Sequence, residues 1–402
     1  MTPAAHDTAA SGRFGPSPAR TALAAIPLVI EVSEMGKRAK AGKEATATIT
    51  DEARRTLALC NVCGYCTGYC DVFAAAERRP ALADGDLAHL AHLCHNCRSC
   101  YYACQYAPPH EFAINVPATL ARLRAADYRA RAWPWAPSTP ALGALVVACL
   151  LGVPALALVA VPADTLFAAH RGPGAFYAIV PQKLMSGGAA LAFGSAALLI
   201  VAGVVRFWRQ SARTAPMPTA SAGTALPRAL ADIATLRNLD GGGTGCHERE
   251  DASARGRRHA HHALFCGFLL CLASTASGAF QHHFLGRPAP YPVLSAPVIL
   301  GSLGGVAMLA GIAGLVRRKR SADPAPTAAD TEPANRLLLA TLAATAASGL
   351  ALLALRDTPA MGMSLALHLG SVLGLALSMP FGKFVHGAYR GAALLRQARE
   401  DR

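Results

Sequence analysis

Eight of the chain's twelve cysteines fall between positions 60 and 104. They form two runs of identical spacing, C-x2-C-x2-C-x3-C: Cys60, Cys63, Cys66 and Cys70, then Cys94, Cys97, Cys100 and Cys104. Thiolates are the preferred ligands of soft metals, and this spacing is specific in what it can hold. Three thiolates on a short loop cap three corners of an iron–sulfur cubane, while a helix carries the fourth away to a neighbouring site. A tetrahedral zinc ion also uses C-x2-C pairs, but two matching runs of four exceed what one ion needs. Twelve cysteines in 402 residues are too few and too clustered for a disulfide scaffold.

The spacing is that of two-cluster bacterial ferredoxins, in which the fourth cysteine of each run ligates the other cluster. On that pattern Cys60, Cys63, Cys66 and Cys104 hold one [4Fe-4S] cluster, and Cys94, Cys97, Cys100 and Cys70 hold the second. The proline that often follows the fourth cysteine is absent, with Asp71 and Gln105 in its place. Residues 71–93 leave room for a helix or two around Asp84 to Leu93, which resembles the helical ferredoxin domains of respiratory iron–sulfur subunits more than a compact ferredoxin. Cys149, Cys246, Cys266 and Cys271 share no ligand spacing and read as small hydrophobes. His92, His95 and His110 flank the second run and read as its neighbours or as surface groups, not as ligands.

Histidines in apolar helices form the second constellation, because an ionisable group inside a membrane helix points to function. His368 and His386 bracket the last apolar block. On one helix they share a face and stand ~27 Å apart at ~1.5 Å per residue, one near each membrane surface. Such a pair suits haem b, each histidine offering one axial nitrogen. The partners are sought at the ends of another helix, which opens with His259, His261 and His262 and closes with His282 and His283. His261 lies ~40° from His283 on the helix wheel and His262 ~60°, which leaves both pairings open; His262, His283, His368 and His386 are taken as the ligand set.

These groups must be positioned by elements that the charge pattern makes visible. Apolar residues make up 53% of the chain and charged residues 15%, where a soluble chain carries roughly a quarter charged. No Asp, Glu, Lys or Arg occurs in 132–163, 184–205, 259–286, 288–316, 337–355 or 358–382. Each block is long enough for a helix to cross a bilayer core, and their Ala, Gly and Ser content suits close helix packing in lipid. Trp133-Pro134-Trp135 marks the membrane entry. If the cysteine region lies on side one, segments 206–258, 317–336 and 383–402 share that side, with nineteen Lys or Arg against Arg171, Lys183, Arg287 and Arg356 opposite. The positive-inside rule then places both termini and the cysteine region in the cytoplasm. The net charge of +14 becomes a collar for anionic lipid rather than a nucleic-acid surface, since no basic stretch carries interleaved aromatics.

The expected chain is mostly α: a helical ferredoxin-like domain with two [4Fe-4S] clusters, followed by a six-helix transmembrane bundle. A flexible leader occupies 1–50, the iron–sulfur domain 51–130, membrane helices one and two 131–208, a cytoplasmic loop 209–258, helices three to six 259–390, and a cytoplasmic tail 391–402. The apolar stretch Ala22 to Ile30 contains Pro27 and lacks a small-residue cleavage site, so a flexible leader, or a start at Met35, is preferred over a cleaved signal. The glycine-rich segment Leu236 to Cys246 follows no strand and reads as a loop turn.

The segments CNVCGYCTGYCDVF (60–73) and DLAHLAHLCHNCRSCYYACQYAPPHEFAINVP (86–117), with Trp133-Pro134, resemble the tricarballylate-utilisation protein B family, also called citrate-utilisation protein B. RRHAHHALFCGF (257–268) and APYPVLSAPVILGSLGG (289–305) extend the likeness over most of 53–390. MPFGKFVH (379–386) is also similar to the haem-bearing gamma subunits of membrane nitrate reductases. The leader and the linker 210–230 have no counterpart. The resemblance implies a soluble flavoprotein dehydrogenase as partner, which oxidises tricarballylate to aconitate, while this chain reoxidises its flavin and passes electrons through iron–sulfur clusters and haem to the quinone pool. The chain has no dinucleotide fingerprint, so the flavin belongs on the partner. An electron-transfer subunit for another flavoprotein, such as one in cobalamin synthesis, is the nearest alternative. A membrane-bound iron–sulfur redox sensor is the other, and no DNA-binding or signalling segment supports it.

Overall fold

A computed structural model describes residues 46–240, 245–249 and 252–401. Residues 46–50 are already helical, so the expected leader ends early; its remainder, with Ala22 to Ile30 and Met35, lies outside the described residues. Contacts separate Met1–Thr48 from Ile49–Arg402. The second unit is mostly helical and opens with the cysteine-rich domain: α1 (49–63), α2 (Asp71–Glu77), α3 (Asp84–Leu93), α4 (Ser99–Tyr102) and α5 (Val116–Arg131). Asn115 caps α5 by accepting the Ala118 N–H, and Pro117 occupies its first turn, where no amide donor is missed. The domain core joins Leu57 of α1, Val72 and Phe73 of α2, Leu87, Leu90 and Leu93 of α3, and Leu120 and Leu123 of α5.

Among the described residues six helices are long and apolar enough to cross a membrane: α6 (Thr139–Ala160), α8 (Gln182–Ala212), α10 (Gly256–Leu285), α11 (Ala296–Ser321), α12 (Glu332–Leu355) and α13 (Met361–Ser378). A short α7 (Ala163–Leu166) follows α6. Leu151, Leu156 and Val159 of α6, Leu191 and Leu198 of α8, and Leu269 and Leu272 of α10 point outward and exposed. On a soluble protein that apolar surface would be a liability; on a multi-pass membrane protein it meets acyl chains. Trp133 and Trp135 stand exposed just before α6, the place of an interfacial aromatic belt.

Small residues set the closest helix contact. A Cβ on Gly304 of α11 would lie 2.8 Å from the Gly267 carbonyl oxygen and 2.8 Å from the Cys271 nitrogen of α10. The backbones therefore touch directly, as small-residue interfaces in membranes allow. Gly304→Val is expected to force α10 and α11 apart and to cost about 1–3 kcal/mol, the usual range for overpacking. Thermal unfolding of the detergent-solubilised protein measures it, and Leu303→Val on the exposed face is the neutral control.

Two expectations change. The last apolar block does not continue to His386: α13 stops at Ser378, Pro380 and Gly382 break it, a 3₁₀ turn covers Lys383–Val385, and α14 (His386–Glu400) begins afresh. His368 and His386 are therefore not on one helix, and the common face derived from their spacing does not exist. The expected tail from 391 is also helical through Glu400, and α14 packs against α3, α8 and α9 (Ala222–Thr235). Leu394 enters the core of the cysteine-rich domain, and Arg79 pairs in the interior with Glu400 and, at 3.4 Å, with Asp86.

The three segments expected to share a side with the cysteines all gather around their domain. Arg237 pairs with Asp71 at 2.8 Å, Arg122 with Asp330 at 3.1 Å, and Arg78 with Asp401 at 2.9 Å. Within 206–258 the loop also forms a small antiparallel hairpin, β1 (Cys246–Arg249) and β2 (Ala252–Ala254), which the glycine-rich sequence before it did not suggest.

Candidate metal centres

The fold sorts the eight cysteines into two sets of four, and each set draws on both sequence runs. A cleft with about 640 Å³ of empty space is lined by Cys60, Cys63, Cys66 and Cys104, together with Leu59, Tyr65, Tyr106 and Ile114. A second, with about 450 Å³, is lined by Cys94, Cys97, Cys100 and Cys70, together with Phe73, His95 and Ser99. The local reasons are plain. Helix α1 ends at the first run, where Gly64 at φ +65° turns the chain and donates to the Cys60 carbonyl at 2.9 Å. Cys70 then sits at the start of α2, which leads to the second cavity, and Cys104 follows α4, which leads back to the first.

The donor chemistry fits a multi-iron cluster. Burial raises the Cys60 thiol to about 12 and the Cys66 thiol to about 11, and the charges of Cys104 and Cys63 in the same cleft add to both shifts. Burial also lifts Cys70, Cys97 and Cys100, reinforced by their own cavity partners, Cys94 among them. Four thiolates so placed need a cationic centre, and its uptake must release protons. Among the described residues no three His, Cys, Asp or Glu side chains converge as they do on a single ion. A set spread around a cavity matches the wider reach of a cubane.

The two centres differ in access. Cys63, Tyr65 and Val62 are exposed, whereas Cys94 is buried. The second run is held from four directions by groups that the motif does not include. Arg124 of α5 donates to the Ala91 and Cys94 carbonyls at 2.7 and 3.0 Å, and Arg390 of α14 donates to Cys94 O at 3.1 Å. Arg257 of α10 donates to Asn96 O at 2.7 Å, and the His247 N–H of β1 donates to Cys97 O at 2.9 Å. Arg98 adopts a left-handed φ of +72°, uncommon for any residue other than glycine. Its guanidinium fixes it there by donating to Asp323 O at 3.2 Å and Thr327 Oγ1 at 2.9 Å.

Behind this loop the domain joins the membrane helices through His92. Its ring stacks on Tyr389 of α14 (5.0 Å, 17°) and meets Phe207 of α8 edge-on (5.0 Å, 83°). Its Nε2–H donates to Asp127 at 2.7 Å, and Arg131 Nε donates to the same oxygen at 2.7 Å. Burial holds His92 below the usual imidazole range, so it is neutral at pH 7. Burial alone would raise Asp127, but the bonds from His92 and Arg131 outweigh it and hold the carboxyl at about 2. This folded value lies below the unfolded value of about 3.9, so the stabilisation is present above about pH 4 and is lost as pH falls towards 2. Asp127→Ala is expected to cost about 3 kcal/mol at pH 7. The gap to the native protein should shrink below pH 4, as denaturation at several pH values would measure.

Of the four histidines taken as ligands, only His386 faces another imidazole from a different helix. That partner is His261, not His262: the rings of His261 and His386 lie 6.3 Å apart at 84°. His262 turns the other way, to the Ala234 carbonyl at 3.0 Å. His283 packs edge-on against His282 at 5.0 Å, and His282 Nδ1 meets the Tyr177 hydroxyl at 3.1 Å. His368 lies inside the bundle, its Nδ1 bonded to Ser348 Oγ at 3.0 Å. Among the described residues His283 and His368 make no ring contact with each other, which follows from their neighbours: α10 pairs with α11, while α13 packs on α6 and α12. With metal–nitrogen bonds of about 2 Å, two imidazoles on opposite faces of one haem iron have ring centres roughly 6 Å apart. The His261–His386 pair has that spacing.

Comparison with known proteins follows the same division of the chain. Residues 53–130 match the model of the citrate utilization protein B Fer4-like domain, and 137–402 match that of citrate utilization protein B. The citrate utilization protein B of Escherichia coli is 42% identical over 355 residues, covering 87% of this chain and 92% of that protein. No solved structure matches the chain significantly. The two family models and the relative together span most of the chain, from the Fer4-like domain through the six apolar helices: the chain belongs to the citrate utilization protein B family.

Proposed function

We propose that this chain is a membrane-anchored electron-transfer protein in citrate or tricarballylate utilisation. It accepts electrons from the reduced flavin of a soluble dehydrogenase and delivers them to quinone at the bacterial inner membrane. The observation that carries this reading is the crossed sorting of the eight cysteines into two sets, one with Cys63 exposed and one with Cys94 buried. Cys60, Cys63, Cys66 and Cys104 would hold a [4Fe-4S] cluster at the surface a partner can reach. Cys94, Cys97, Cys100 and Cys70 would hold a second against the membrane helices. Bound clusters would supply one-electron relays between a two-electron flavin and a two-electron quinone. His261 and His386, just behind the second set, would hold haem b, and both termini would lie in the cytoplasm.

The residues supply binding, insulation and direction. Tyr65 lines the first cavity and is exposed, while Arg124, Arg257 and Arg390 tie the loop of Cys94 to α5, α10 and α14. Anaerobic mixing of the full chain with its candidate flavoprotein, followed optically, tests the reading. Addition of tricarballylate is expected to reduce flavin, then haem, then an added quinone. Flavin that bleaches while haem and quinone stay oxidised would contradict it. Citrate as a separate addition tells which acid the partner takes.

A further inference from the structure

A groove with about 730 Å³ of empty space runs between α8 and α14, a size that suits a small molecule. Val205, Trp208 and Arg209 line it from α8, and the small residues Ala388, Gly391 and Ala392 from α14. Among the described residues its lining holds one charged side chain, Arg209, and no carboxylate.

The groove straddles an edge that the charge pattern marks. No charge occurs on α8 from 184 to 205, and Arg206 and Arg209 are the first after that block. Val205 therefore belongs to the apolar layer, and Trp208 and Arg209 to the layer where aromatic and basic side chains meet headgroups. A polar ring on an apolar tail has the same preference. Trp208 is held in place by Arg396, whose guanidinium lies 4.2 Å from the ring centre and donates to the Trp208 carbonyl at 2.8 Å. A ring fixed in this way offers a flat wall and loses little freedom when a ligand binds. Arg209 is exposed and makes no hydrogen bond or ion pair among the described residues, so its donors are open to an incoming acceptor.

The groove also backs onto the contact that joins the cysteine-rich domain to the membrane helices. Phe207 and Tyr389, next in sequence to Trp208 and Ala388, both have ring centres 5.0 Å from that of His92. At ~100° per residue the groove side of α14 lies across that helix from His386, about one helix diameter, ~10 Å, away.

We infer that this groove is the quinone site. The ring lies against Trp208 and the small residues of α14, and Arg209 donates a hydrogen bond to a ring carbonyl. The inference rests on the quinone-reducing reading above. Reduction takes two electrons from the chain's own centres and two protons from water at the mouth, where Arg209 is exposed, and turns both carbonyls into the hydroxyls of the quinol. A phospholipid shares the preference for this layer, but the place behind the His92 contact favours a ligand that takes electrons.

The test uses the full chain in detergent, with decylubiquinone as the probe. Trp208 is one of three tryptophans, and a bound quinone quenches the fluorescence of an adjacent indole. The native protein is expected to show saturable quenching that Trp208→Phe removes and Trp133→Phe keeps. Ala388→Leu, which fills the groove, and Arg209→Gln, which removes the donor, should each weaken binding about tenfold. Arg209→Lys should recover most of that loss, and Arg228→Gln on α9 is the neutral control. EPR of the reduced clusters in each variant checks the fold. Quenching left intact in Trp208→Phe, or affinity unchanged in both Ala388→Leu and Arg209→Gln, overturns the groove as the site and leaves quinone reduction standing. A phospholipid kept by the native protein, lost in Ala388→Leu and not displaced by excess decylubiquinone also overturns it, assigning the groove to lipid. A native chain that neither binds nor reduces decylubiquinone removes the quinone reading, and the inference with it.

Discussion

Cys104→Ser is expected to abolish the same reduced-state EPR signal as Cys63→Ser, although Cys104 lies in the other sequence run. Cys70→Ser should in turn match Cys97→Ser. The reason is spatial: Cys104 lines the cleft of Cys60, Cys63 and Cys66, and Cys70 lines the cavity of Cys94, Cys97 and Cys100. If each run held its own cluster, Cys104→Ser would instead pair with Cys97→Ser. Coupled flavin-to-quinone turnover should fall by more than about a hundredfold in all four variants, since even outer partners of a metal site cost 10–100-fold. Cys266→Ser, on an exposed face of α10, should leave both signals and turnover intact. Iron and sulfide content of each variant separates loss of one cluster from collapse of the domain.

His386→Ala carries the second large effect. Haem b, read by the pyridine haemochrome spectrum, should disappear, and quinone reduction should fall at least about tenfold, as for loss of a site-forming group. Both cluster signals should remain, because His386 lies on the membrane side of the Cys94 loop and ligates neither cluster. His261→Ala should behave alike. His262→Ala should retain haem, since that ring bonds the Ala234 carbonyl and faces away. Loss of haem in His262→Ala with retention in His261→Ala would reverse the assignment of the pair.

The contrast between cysteines and histidines tells what a sequence carries. Each cysteine triplet is local: three ligands within seven positions, on one loop, need no knowledge of the fold. The fourth is expected across the runs, and the fold puts Cys104 on the cleft of the first run and Cys70, at the start of α2, on the cavity of the second. The six apolar helices were equally visible, since an absence of charge over a bilayer's thickness is a one-dimensional signal.

The histidine pair depended on tertiary facts. A face common to His368 and His386 requires a continuous helix between them, and Pro380 and Gly382 break it. Choosing between His261 and His262 required the rotation of α10, which close packing on α11 through Gly267 and Gly304 determines. Arg124, Arg257 and Arg390 come from α5, α10 and α14, and only the folded chain brings them to one loop. Leu394 belongs to the first domain's core although it follows the last membrane helix. An amphipathic segment at the end of a chain could have been read as a docking helix, and its single signal was the apolar face of α14.

The central claim is that electrons enter at the set that holds the exposed Cys63 and reach the membrane through the set that holds the buried Cys94. Rapid mixing of the full-length protein with its fully reduced flavoprotein partner, frozen at intervals for EPR, tests this most directly. Cluster signals should appear before quinol forms, at rates no slower than steady-state turnover. Quinol that accumulates at the full rate while both clusters remain oxidised would contradict it.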